Sequence, residues 1–144
     1  MRYTERLWPS FGILLATSLS FPMLLLAALP FGTEIGITIS VTGTIALFAL
    51  VILTAPTISV SAELIAGRMR IPLSVIGKTQ PLNKLELREL IGAAADARAQ
   101  LFIRGYVKSA LKIEISDSSD PTPYVVISTR KPEQLAVALL ANRS

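Results

Sequence analysis

The apolar and polar positions of this chain divide it near Pro56. Before that point two long runs carry no charge, Phe11 to Phe31 and Ile35 to Ala55. Each holds about 21 residues, roughly 31 Å as a helix, which matches a hydrocarbon core of about 30 Å. Gly32-Thr33-Glu34 between them is long enough only for a tight turn. The pattern predicts a flank over 1–10, a transmembrane helix over 11–31, a turn over 32–34 and a second, antiparallel transmembrane helix over 35–55. Pro22 is expected to kink the first helix, because its ring displaces the carbonyl four residues back.

After Pro56 the period changes, and 57–144 reads as a soluble α+β domain. Ile58, Val60, Leu64 and Ala66 favour a strand ended by Gly67. Arg68 to Leu73 continues extended, with Met69, Ile71 and Leu73 on one face and Arg68 and Arg70 on the other, so a hairpin turns at Gly67. Pro72 implies an edge position or a strand end. Leu82 to Ala95 has helical spacing, and Ala99 to Arg104 and Val107 to Ser116 read as strands around Gly105. Asp117 to Pro121 is a turn. Tyr124 to Ser128 is apolar on both faces and is therefore predicted to be a central strand. A helix from Pro132 closes the chain, with Leu135, Ala136, Leu139 and Leu140 as its buried stripe and Glu133 complementing its positive end.

The flanks predict orientation. Arg2 and Arg6 precede the first span, and Arg68, Arg70 and Lys78 follow the second, while the connecting turn offers only Glu34. Positive residues stay inside, which predicts a multi-pass protein of the plasma (inner) membrane with both termini cytoplasmic. A signal peptide is the competing reading of the first span, but the apolar run exceeds an h-region of about 7–15 residues and no A-x-A site follows it.

Composition narrows the chemistry. The chain has 144 residues, 51% of them hydrophobic, and neither cysteine nor histidine. That inventory excludes disulfides, thiolate metal sites, cysteine nucleophiles and serine–histidine triads. The net charge is +4, and from Pro56 onward 12 Lys and Arg face 8 Asp and Glu. A basic domain tethered to a membrane points to anionic headgroups before nucleic acid, although the same charges also serve topology alone.

Three sets of residues are candidates for contact. Arg68, Arg70, Arg130 and Lys131 are candidates for headgroup or partner binding if the sheet brings them together. Gly12, Ala16 and Ser20 recur every four residues in the first span, as do Gly36, Ser40 and Thr44 in the second; such rows allow close helix packing. In an antiparallel hairpin they meet only near Ser20 and Thr44, which leaves the other halves to a partner helix or a second copy. Asp96, Asp117 and Asp120 are the acidic residues a metal or carboxylate mechanism would need, but their spacing matches no EF-hand loop. No cofactor, metal or catalytic residue is predicted, and aromatic residues are too scattered for a nucleic-acid platform.

The order of strands and closing helix, with Y-V-V-I-S-T-R-K-P-E-Q-L-A-V-A-L-L at Tyr124 to Leu140, resembles bacterial pleckstrin-homology-like domains. The whole chain also resembles an actinobacterial membrane-protein family, domain of unknown function 3093. The resemblance lies in Y-T-E-R-L-W-P at Tyr3 to Pro9, R-I-P-L at Arg70 to Leu73, A-D-A-R-A at Ala95 to Ala99 and D-P-T-P-Y-V-V-I-S-T-R-K-P-E at Asp120 to Glu133. It implies two spans and brings no activity. The expectation is a non-enzymatic, membrane-anchored module that presents a basic pleckstrin-homology-like domain to anionic lipid or protein. The alternative is a small accessory subunit of a transport or envelope-synthesis complex. An enzyme acting on lipid-linked substrates would have to be built from Asp96, Asp117 and Asp120.

Overall fold

The computed structural model describes residues 2–143. The chain forms two compact units: Trp8–Ala55 is one, and the segments on either side of it together make the other.

The first unit is apolar and helical. Its helices are α1 (Phe11–Ser18), α2 (Ser20–Ala28) and α3 (Thr33–Leu53), with a 3-10 turn at Leu29–Phe31. Ser10 caps α1 by accepting a hydrogen bond from the Ile13 N–H. The break between α1 and α2 falls beside Ser18, whose carbonyl would need the N–H that Pro22 lacks. Gly32 has φ of 109°, a value that only glycine adopts readily. It turns the chain into α3, where Glu34 sits in the first turn and complements the helix's positive end. The stretches Phe11–Phe31 and Thr33–Leu53 are each long and apolar enough to cross a membrane.

The second unit is α+β and opens with a strand that the periodicity did not predict. Strand β1 (Tyr3–Arg6) pairs antiparallel with β2 (Thr57–Val60), which pairs with β3 (Glu63–Ala66), and that with β4 (Met69–Pro72). What read as one strand over 58–66 is thus two, folded at Ser61–Ala62. The next hairpin does turn at Gly67, where φ is 62°. Strand β4 is an edge strand and Pro72 ends it, so no ladder bond is lost to the missing N–H.

The second sheet has the order β5 (Ile76–Leu82), β7 (Ala110–Ile115), β8 (Tyr124–Ser128), β6 (Gln100–Phe102). Strand β6 does not pair with β7 as its neighbour in sequence; it runs parallel to β8. Helix α4 (Lys84–Ile91) leads into it and is shorter than the predicted 82–95. It starts at a capping box: the Asn83 side chain accepts from the Leu85 and Glu86 N–H groups while Glu86 accepts from the Asn83 N–H. Gly92 ends it.

The main core lies between the sheets. Leu7, Ile58, Val60, Leu64 and Ile71 from the first meet Ile113, Val125 and Ile127 from the second, together with Leu135 and Leu139 of α5 (Pro132–Ala141). On the other face of the second sheet Leu87 of α4 packs with Leu82, Ala110 and Val126. Strand β8 is therefore covered on both faces, which is why its sequence is apolar throughout. On α5 the buried positions are Leu135, Ala138 and Leu139; Leu140 is exposed, contrary to the predicted stripe.

Candidate functional site

A polar network of the α+β unit is centred on Glu5, a residue the sequence does not single out. Residues Tyr3, Glu5 and Leu7 alternate on the inner side of β1, and Leu7 anchors the strand in the core. The Glu5 carboxylate accepts from the Tyr3 hydroxyl at 2.9 Å, from the Thr129 hydroxyl and from the Arg130 N–H at 3.0 Å. Thr129 is fully buried, and its oxygen also accepts from the Lys131 N–H at 3.0 Å. Burial, reinforced by the Glu5 carboxylate, pushes the Tyr3 phenol up to about 12.

This network fixes the segment between β8 and α5 against β1. A cleft of about 300 Å³ follows, lined by Tyr3, Thr4, Glu5, Arg6, Arg130 and Lys131. It shares Arg130 and Lys131 with a hollow of about 360 Å³ over the first turn of α5. A third, largely apolar hollow of about 420 Å³ lies between Arg2, Tyr3, Val137 and Ala138.

The four basic candidates do not converge on this cleft. Arg130 and Lys131 lie at the β1 edge of the first sheet, and Arg68 and Arg70 at the β4 edge. Three strand spacings separate those edges, about 14 Å. Arg6, which did not figure among the candidates, shares the cleft instead. It was hidden because nothing in Y-T-E-R marks a strand.

The small-residue rows are divided in the same way. The Ser20 and Thr44 hydroxyls are 3.3 Å apart. Gly36 and Ser40 are buried: a methyl group on Gly36 would sit 3.6 Å from Ala28 and Leu25, and the Ser40 hydroxyl donates to the Gly36 carbonyl at 2.6 Å. Gly43, missing from the predicted row, is tighter still, since a Cβ there would lie 2.8 Å from Leu24. Gly12 and Ala16 are exposed and take no part in packing α2 against α3.

The three aspartates serve turns. Asp117 accepts from the Ser119 hydroxyl and N–H, and these bonds hold its carboxyl below the usual range. Asp120 accepts from the Thr122 N–H. Asp96 is lowered by hydrogen bonds from the Arg98 side chain and N–H, with an ion pair at 3.0 Å. Among the described residues no three acidic side chains gather in metal-binding geometry.

Fold and site define an apolar helical hairpin inserted into a basic α+β domain near its first strand. The family model described as "Protein of unknown function (DUF3093)" matches residues 2–139, and the chain belongs to that family. No curated protein and no solved structure matches it.

Proposed function

We propose that the two apolar stretches cross the plasma membrane as a hairpin, and that the α+β domain is held at the inner leaflet as a non-enzymatic module for binding anionic lipid or protein. The observation that carries this reading is the β1–β2 ladder. The strand before the first helix is hydrogen-bonded to the strand after the second, in register from Tyr3 opposite Val60 to Arg6 opposite Thr57. The Leu7 N–H adds a bond to the Pro56 carbonyl at 2.9 Å. A chain that leaves and rejoins one sheet must cross a bilayer an even number of times. Two spans satisfy this, and one does not. The basic flanks set against Glu34 favour the cytoplasm for the sheet.

Two sheets over one core and a closing C-terminal helix support a pleckstrin-homology-like reading of the domain. It departs from a wholly antiparallel arrangement where β6 runs alongside β8. Without cysteine or histidine, its side chains serve binding better than bond-breaking chemistry.

Topology is tested with single cysteines in this cysteine-free chain. Thr33→Cys should react with an impermeant maleimide on intact cells, and Ser61→Cys only after permeabilisation. Labelling of both positions, or of Ser61→Cys alone, from outside would remove the proposal.

A second reading, an accessory subunit of a larger membrane complex, is favoured by the exposure of Gly12 and Ala16. Gly12→Leu leaves the α2–α3 contact intact, so loss of a co-purifying partner in that variant would support assembly. An unchanged preparation would favour the simple anchor.

A further inference from the structure

The register of both sheets defines one end of the domain. Arg6, Thr57 and Ala66 end the first three strands there, with Gly67 and Arg68 in the following turn. In the second sheet Leu82, Ala110, Phe102 and Ser128 lie at the corresponding ends. Three contacts bring the two sets together. The Phe102 ring lies against Gly67, the Tyr106 hydroxyl donates to the Leu7 carbonyl at 3.1 Å, and Thr129 donates to Glu5. Both chain connections to the apolar unit leave from this end, after Leu7 and before Pro56.

Basic residues gather on the segments that meet there. They are Arg6, Arg68, Arg104 and Lys108 between β6 and β7, and Arg130 and Lys131 before α5. The acidic residues nearby are Glu5, Glu86 at the cap of α4 and Glu133 in the first turn of α5, half as many as the six basic residues named. The opposite end is different. Glu63, Glu114, Asp117, Asp120 and the Asp96–Arg98 pair lie there, balanced by Arg2, Lys78 and Arg143. The positive excess is therefore concentrated at one pole, where the tethers emerge.

We infer that this loop end is the surface that docks on anionic lipid headgroups of the bilayer. The inference rests on the membrane reading above. Two features select the leaflet over a soluble anion or an acidic protein. The positive pole coincides with the tethers, and its charges come from four separate segments spread over an end face. Only three residues, Trp8 to Ser10, and two, Thr54 and Ala55, link this end to the helices, so the covalent path keeps it within a few residues' reach of the bilayer. A broad, shallow charge distribution matches a charged plane, and its attraction falls off within a Debye length of about 8 Å in physiological salt.

The test uses the full chain reconstituted in vesicles that carry a trace of nickel-chelating lipid. A spin label is placed at Gly105→Cys on the loop end, where a Cβ meets nothing within 4 Å, or at Ser118→Cys on the far end. Flotation first checks that the chain is in the bilayer. In phosphatidylcholine mixed with phosphatidylglycerol, nickel should relax the Gly105 label severalfold more strongly than the Ser118 label. The difference should shrink in pure phosphatidylcholine, in high salt and in Arg68→Glu/Lys108→Glu/Lys131→Glu. The salt arm uses the native loop end, so it holds even if the triple variant folds poorly. Equal relaxation at both labels, or no response to phosphatidylglycerol and salt while the chain floats, overturns the docking surface alone. Failure to float overturns the membrane reading beneath it.

Discussion

Glu5 and Thr129 are hydrogen-bonded side chain to side chain although they stand 124 positions apart in the sequence. The bond ties the first strand of the protein to the entrance of its last helix. Because Thr129 is fully buried and Arg130 donates its N–H to the same carboxylate, Glu5 is the common acceptor for groups that few alternatives can serve.

Glu5→Ala should therefore destabilise the domain by about 1–3 kcal/mol, the usual cost of stranding buried donors. Thr129→Val removes one donor together with its need but strands the Lys131 N–H that the hydroxyl accepts; with a single donor left unpaired it should cost less than Glu5→Ala. Urea unfolding of the detergent-solubilised chain would measure both. A cost for Glu5→Ala no larger than that of an exposed substitution such as Glu114→Ala would refute the role of the network.

The Tyr3 phenol, raised to about 12 from an ordinary value of 10.0, makes an alkaline prediction. Its folded form holds the proton more tightly than its unfolded form. This contribution to stability is complete below pH 10 and is lost as the pH rises from 10 through 12. Tyr3→Phe should flatten that decline. A spectrophotometric titration of the three tyrosines should lose its latest step in the same variant; an unchanged curve would contradict the shift.

Gly67 combines φ of 62° with the Phe102 ring at 2.8 Å from where a Cβ would stand. Gly67→Ala should cost about 1–2 kcal/mol from backbone conformation alone, with further loss as the ring is displaced. Phe102→Ala in the same background should recover only the steric part. Full recovery would mean that the backbone contributes nothing.

Ser20→Cys/Thr44→Cys should form a disulfide readily in membranes, since the two hydroxyl oxygens are 3.3 Å apart. Adding Gly36→Leu, whose side chain must enter the space held by Ala28 and Leu25, should sharply lower the yield. Equal crosslinking with and without the leucine would show that Gly36 is not a packing position.

What was legible in the sequence follows burial. Tyr124 to Ser128 could be read as a central strand because both of its faces are covered, by α4 on one side and the main core on the other. The apolar stretches were legible for the same reason of unbroken character. Strand β1 was not, because only Leu7 beyond its end is fully buried and its partner follows some fifty residues later. Strand β5 was missed because Gly77, Lys78, Gln80 and Pro81 interrupt any alternation, and only Ile76 and Leu82 are buried. The Ser61–Ala62 turn lacks glycine, proline and asparagine, so two strands read as one. Arg68 and Arg70 were recognised as exposed, but no local pattern reveals that a sheet edge separates them from Arg130. The Glu5 network, a contact between the two ends of the chain, leaves no local trace.

The first strand of the sheet is synthesised before the helical insert, yet its neighbour emerges only after both helices are complete. During translation Tyr3–Arg6 must wait, unpaired, until the ribosome has delivered Thr57–Val60. The helical insert becomes a loop whose two stems can pair only once it is complete.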